Sequence, residues 1–236
     1  TPASRLRERA TWGALAFAPS SLLLGATEYI TTDLASVPLL WVVPLSLYLA
    51  SFIVAFARRQ VVPPSVASRA LALLACFVSL TLLAELVRPA WLMVTAHLLL
   101  LFVAAVACHQ ALAARRPRVE RLTEFYLLLS LGGVLGGVWN GLVAPSVFGS
   151  LIEYPIAIAL VCGARLLLPG AEPEAPGARA RSVALGLALG AATLALVRLG
   201  TAFRVDPRQA FLWMFGAPIF FAFVWSKRPL RFAVAL

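Results

Sequence analysis

Apolar stretches separated by short polar breaks recur along this whole chain, and that alternation constrains its fold more than any other feature. A helix rises about 1.5 Å per residue, so roughly 20 apolar residues are needed to cross a bilayer's hydrocarbon. Candidate crossings run from Trp12 to about Thr27, Leu39 to Ala57, Leu71 to Val87, Trp91 to Ala113, Phe125 to Phe148, Ile156 to Leu168, Val183 to Val197 and Ala210 to Trp225. The sixth and seventh are short for a crossing. Composition agrees: 61% of the 236 residues are hydrophobic and 13% charged, about half the charge of an ordinary soluble domain. The expectation is an all-α polytopic bundle of about eight transmembrane helices.

The net charge of +10 would fit nucleic acid if the cations formed one patch, but they alternate with the breaks. Sixteen of the twenty Lys and Arg fall on one side: Arg5, Arg7, Arg9, Arg58, Arg59, Arg69, Arg115, Arg116, Arg118, Arg121, Arg165, Arg179, Arg181, Lys227, Arg228 and Arg231. Only Arg88, Arg198, Arg204 and Arg208 fall on the other. The positive-inside rule then places both ends in the cytoplasm and excludes nucleic acid as the reason for the charge. The partner this implies is a lipid bilayer, the bacterial cytoplasmic (inner) membrane, crossed several times.

Residues 1–168 read as a six-helix group, 169–181 ("PGAEPEAPGARAR") as a flexible cytoplasmic linker, and 182–236 as a final helix pair with the start of a further helix. A first residue that is not Met and a last segment that stops in an apolar run lead us to expect a piece of a longer protein. No signal peptide is visible. Trp12, Trp91 and Trp225 read as an interfacial aromatic belt, and Pro44 and Pro218 as possible kinks within helices.

The residues that could carry chemistry are few. Cys76, Cys108 and Cys162 lie singly in apolar runs, so neither a disulfide framework nor a metal site is expected. No nucleophile elbow, P-loop or dinucleotide fingerprint occurs, and no cofactor is implied. Two polar clusters remain. The outer one holds Glu28, Tyr29, Thr31, Thr32, Asp33, Asn140, Glu153 and Tyr154, where carboxylates, hydroxyls and an amide could hold an amine, a metal cation or a proton. Helix capping by Asp33, Ser36 or Glu153 is the structural alternative. Asn140 needs a buried partner, and Asp33 or Glu153 lies at a suitable depth. The inner cluster, "CHQALAARRPRVERLTEFY", holds His109, Thr123, Glu124 and Tyr126, readable as a proton-active group or as ordinary helix-end chemistry. In "GGVLGGVWNG", Gly133, Gly137 and Gly141 recur every four residues, as do Gly132, Gly136 and Asn140, the spacing by which membrane helices approach closely.

The stretches "PSSLLLGATEYITTDLASVPLLWVVPLSLYLASFIVAF", "ACHQALAARRPRVERLTEFYLLLSLGGVLGGVWNGLVAP" and "EYP" resemble the membrane portion of bacterial fused transporter-like/spermidine synthase proteins, closely over residues 11–165 and loosely beyond. In that family a region resembling a major-facilitator half is joined to a soluble aminopropyltransferase-like domain. The resemblance implies a cytosolic synthase-like partner domain that would bind decarboxylated S-adenosylmethionine and a diamine, with its catalytic residues outside this sequence. Thr31, Thr32, Asp33, His109, Thr123, Glu124, Tyr126, Asn140, Glu153 and Tyr154 match the family's membrane motifs, whereas Glu28 stands where the family often has a small polar residue. Three readings follow. The first is a module recognising or moving a polyamine-like cation through Thr31, Thr32, Asp33, Asn140, Glu153 and Tyr154. The second is an anchor for the cytosolic enzyme. The third is an intramembrane enzyme using Asp33, Glu153 or His109.

Overall fold

The computed structural model describes residues 2–35, 37–59, 61–149, 152–168, 176–202 and 212–236. The described residues form helices and no strand. In chain order these are α1 (Pro2–Tyr29), α2 (Val42–Ala55), α3 (Pro64–Leu83), α4 (Ala90–Ala113), α5 (Leu122–Val138), α6 (Ala144–Val147), α7 (Glu153–Ala164), α8 (Pro176–Ala202), α9 (Ala217–Val224) and α10 (Pro229–Ala235). Three π-helical turns, Ile30–Leu34, Trp139–Val143 and Leu212–Gly216, interrupt the regular α pattern. Two of them end two residues before a proline, Pro145 and Pro218. A proline ring cannot approach the carbonyl four residues back, so the ladder there widens.

Among the described residues, four helical stretches are long and apolar enough to cross a membrane: Pro64–Leu83, Ala90–Ala113, Val119–Val147 and Gly177–Leu199. Val42–Ala55 and Met214–Lys227 are apolar but shorter. Large apolar side chains point outward, among them Leu127, Val134 and Leu142 on and after α5 and Leu187 and Leu194 on α8, each more than 60% exposed. Such a surface suits lipid rather than water. These features mark the chain as a membrane-associated helical protein.

At the centre lies α1, packed on α4, α5 and α7. Its Trp12, Leu15, Leu22 and Ala26 are fully buried. Charged residues at its start, Arg5, Arg7, Glu8 and Arg9, make α1 less apolar than its neighbours, and its glycines, alanines and serines suit close packing at the hub. The small residues show this most clearly. A Cβ placed on Gly132 would lie 2.5 Å from the Gly13 carbonyl oxygen, and one on Gly136 would lie 2.8 Å from the Phe17 oxygen. One step further along, Asn140 meets Ser21. Advancing together in this way, α1 and α5 run parallel. Gly133 and Gly141 have open space where a Cβ would be, and Gly137 would meet only Leu24 at 3.8 Å. Among the described residues, the stripe through Gly132 and Gly136 is the one that packs on a neighbouring helix.

Several expectations change. Trp12 is not at a lipid boundary: it is fully buried, with Phe125 edge-on at 5.1 Å and the Arg121 guanidinium 5.2 Å from its ring centroid. Trp91, 71% exposed, does sit at a surface. Pro44 is the third residue of α2, where its missing N–H would have no partner anyway, so it starts the helix and does not kink it. Pro19 is the proline inside α1. Within the segment read as a linker, residues 176–181 form the first turns of α8, as an Ala/Arg-rich stretch led by proline favours. Residues 169–175 lie outside the described residues, as do Ser36, Arg204, Asp206 and Arg208. At 12 residues, α7 spans only about 18 Å, well short of the hydrocarbon thickness.

Candidate functional site

The last turn of α1, the start of α7 and the first half of α4 meet at one end of the bundle. Tyr29 closes α1, and its ring stacks on His97 of α4 (centroids 4.8 Å apart, planes at 28°) and on Tyr154 of α7 (5.6 Å, 29°). The Tyr154 hydroxyl and His97 Nδ1 share a hydrogen bond of 2.6 Å. All three residues are buried. Gly25 makes this possible: a Cβ there would lie 3.1 Å from the Tyr154 Cα. Beside the stack is Glu153, the first residue of α7, only 2% exposed, with its Oε2 buried and without a hydrogen-bond partner. Among the described residues no cation pairs with it. His97 Nε2 is likewise buried and unpartnered.

More acids surround this stack. Glu28, exposed, lies within electrostatic reach of Glu153 and Asp33, and Tyr29 within reach of Asp33 and Glu85. Asp33 sits in the π turn Ile30–Leu34 and lines an open cleft of about 600 Å³ with Leu34, Val87, Arg88, Pro89 and Ala90. It does not cap α2, which begins at Val42 after Trp41. Thr31 donates its hydroxyl to the Thr27 carbonyl at 2.9 Å, and Thr32 is exposed.

Asn140 belongs to a deeper layer. From the π turn Trp139–Val143 its Nδ2 donates to Ser21 Oγ at 2.6 Å and to the Gly136 carbonyl at 3.2 Å. Ser21 is eight residues before Tyr29, about 12 Å down α1. The amide thus finds its partner on α1 and not in Asp33 or Glu153.

The residues grouped as an inner cluster separate into two sites at the opposite end. His109 is fully buried between α2 and α4, stacked on Phe52 with ring centroids 3.6 Å apart and edge-on to Tyr48 at 5.2 Å. Its Nδ1 lies 2.8 Å from Ser51 Oγ. Ser51 gives its single proton to the Tyr48 carbonyl at 2.5 Å, so the imidazole must be the donor, which leaves Nε2 as a buried lone pair with no partner. Glu124 lies elsewhere, hydrogen-bonded to Arg9 and held by Arg121 at 3.0 Å, while Arg121 also reaches Glu8 at 2.8 Å. These pairs tie the starts of α1 and α5 together. Tyr126 is half-exposed, with its ring edge-on to Phe125 at 5.3 Å. Among the described residues no three His, Cys, Asp or Glu are grouped to hold a metal.

Sequence reasoning missed His97, Ser21, Ser51 and Tyr48. His97 carried a usable signal, since an ionisable residue inside an apolar run is a functional candidate by default. The serines carried none, because only packing shows which helix they face.

The fold and this site define a helical membrane-associated protein with a buried acid–aromatic cluster at one end. No protein-family model, no curated protein and no solved structure matches the chain.

Proposed function

We propose that the chain is the membrane portion of a bacterial inner-membrane protein that recognises or transports a small organic cation of the polyamine kind, in step with a cytosolic aminopropyltransferase-like domain. In this reading it crosses the membrane eight times with both ends cytoplasmic. The arginine-rich breaks support that orientation. Arg58, Arg121 and Arg165 lie at the end of the bundle with the α4 C-terminus, whereas Asp33, Arg88 and Glu153 lie at the end where α4 begins.

The observation that carries the functional reading is Glu153. Its Oε2 is buried at the first turn of α7 without a hydrogen-bond partner, and a buried carboxylate oxygen left unpaired is costly unless a bound group compensates for it. An anchor has no need of such a group. Tyr29 and Tyr154 offer ring edges and faces beside it, and the exposed Glu28 and Asp33 provide a negative approach that concentrates cations. Asp33 and Glu153 stand at one end and His109 at the other, so an intramembrane enzyme would not draw all three into one centre.

The test is equilibrium binding of labelled putrescine and spermidine to the reconstituted protein, with Glu153→Gln and Asp33→Asn beside it. Saturable binding that Glu153→Gln abolishes and Asp33→Asn weakens supports the reading. Absence of binding, or equal binding by all three proteins, leaves the domain an anchor.

A further inference from the structure

We infer that the arginine-rich end of the bundle holds an anionic phospholipid, with its phosphate on Arg58 and the buried Arg165 and its acyl chain in the apolar cleft beside them. Neither arginine belongs to the acid–aromatic cluster, so the inference stands apart from the cation-site reading.

Arg165 begins the 3-10 turn that follows α7, and it is only 8% exposed. Its Nε donates to Ser68 Oγ of α3 at 3.1 Å, and its guanidinium carbon lies 5.6 Å from the ring centroid of the buried Phe232 of α10. Its Nη1 is buried with no hydrogen-bond partner. Among the described residues no carboxylate pairs with it: the acids in ion pairs are Glu8 and Glu124, held by Arg9 and Arg121. A buried carboxyl or imidazole can become neutral by gaining or losing a proton, but a guanidinium cannot. Its charge therefore calls for an anion, and Ser68 and Phe232 supply none.

A cleft opens beside this group. Leu168, whose N–H donates to the Arg165 carbonyl at 3.2 Å, lines it, and so does Pro64, one turn before Ser68 on α3. It measures about 360 Å³ and lies between the ends of α2 and α4. From Ala107 to Ala114 it follows α4 for about 10 Å. Val54, Ala55, Ala107 and Ala113 give it apolar walls. Gln110 fixes their spacing: its Nε2 donates to the Val62 carbonyl at 2.7 Å and holds the α2–α3 connection against α4. Among the described residues the charged one on the lining is Arg58, exposed and without an acid partner.

These two features select the ligand together. A free phosphate would satisfy the arginines and leave the apolar walls uncovered, and a neutral lipid would do the reverse. An anionic phospholipid answers both. The guanidinium fork matches phosphate oxygens, and basic pockets between membrane helices suit such headgroups.

Native mass spectrometry of the whole chain in detergent, titrated with phosphatidylglycerol, phosphatidylcholine or inorganic phosphate, tests this. The expected result is one retained phosphatidylglycerol, bound about tenfold or more tighter than phosphatidylcholine, the factor that one charge-assisted hydrogen bond supplies. Arg58→Gln and Arg165→Gln should each lose that preference. Arg118→Gln, which removes a charge from the α4–α5 connection outside the cleft, should keep it. Equal retention of the two lipids overturns the site. So does a preference that falls as far in Arg118→Gln as in Arg58→Gln, which makes it a matter of surface charge. Inorganic phosphate that displaces the lipid at equal concentration overturns the lipid assignment in favour of a soluble phosphate. Arg58 is exposed, so Arg58→Gln decides the matter even if Arg165→Gln proves unstable.

Discussion

Placing a methyl group on Gly132 should destabilise the protein, whereas the same change one residue on, at Gly133, should not. At 132 the new Cβ would stand 2.5 Å from the Gly13 carbonyl oxygen and 2.9 Å from the Ala16 Cβ. Both neighbours are fixed to the α1 backbone, so no side chain can swing aside. Restoring ordinary contact at 3.4 Å or more requires α1 and α5 to part by about 0.9 Å. Overpacking of this kind costs about 1–3 kcal/mol. Alanine also gains about 1 kcal/mol over glycine in helix propensity, but it gains this at both positions. The difference between Gly132→Ala and Gly133→Ala therefore isolates the packing, and it should be about 1–3 kcal/mol. For a chain of this size that corresponds to a gap of roughly 2–4 °C in Tm per kcal/mol, measurable by tryptophan-fluorescence melting in detergent. Gly136→Ala should behave like Gly132→Ala, and Gly137→Ala like Gly133→Ala. If all four variants melt together, the parallel α1–α5 contact is wrong.

Two further outcomes follow from the buried polar pairs. Removing Asn140 and Ser21 separately and together, as alanine variants in an unfolding cycle, should show a favourable coupling of about 0.6 kcal/mol, with roughly 1.7 kcal/mol as a ceiling; zero coupling would place the Asn140 amide elsewhere. Ser51→Ala should cost about 1–3 kcal/mol in chemical unfolding, because it strands the His109 Nδ1–H in the core. The double variant Ser51→Ala/His109→Phe should recover part of that loss, since no polar group is then left unpaired.

Much of the helical content was legible in the sequence because apolar runs have few ways to satisfy their backbone in lipid. The run from Trp91 to Ala113 became α4, and that from Leu71 to Val87 lies mostly in α3. The site was less legible. Gly132 and Gly133 are equivalent by spacing, and only the position of α1 makes one indispensable. Asn140 announced that it needed a partner without saying that the partner was a serine in the middle of α1. Glu153 and Tyr154 were visible as candidates, but His97, which completes their cluster, was passed over inside an unbroken apolar run. His109, Glu124 and Tyr126 are close in sequence and face different neighbours because the chain turns between α4 and α5. Periodicity records which face of a helix is special; which helix answers it is a property of the assembled bundle.

The three cysteines carry a practical consequence. Cys76, Cys108 and Cys162 are unpaired, and none is more than 6% exposed. The folded protein is thus nearly silent toward water-borne maleimides. A single cysteine introduced at Arg58 or Arg88, at opposite ends of the bundle, would report which end the reagent reaches without the native thiols first being removed.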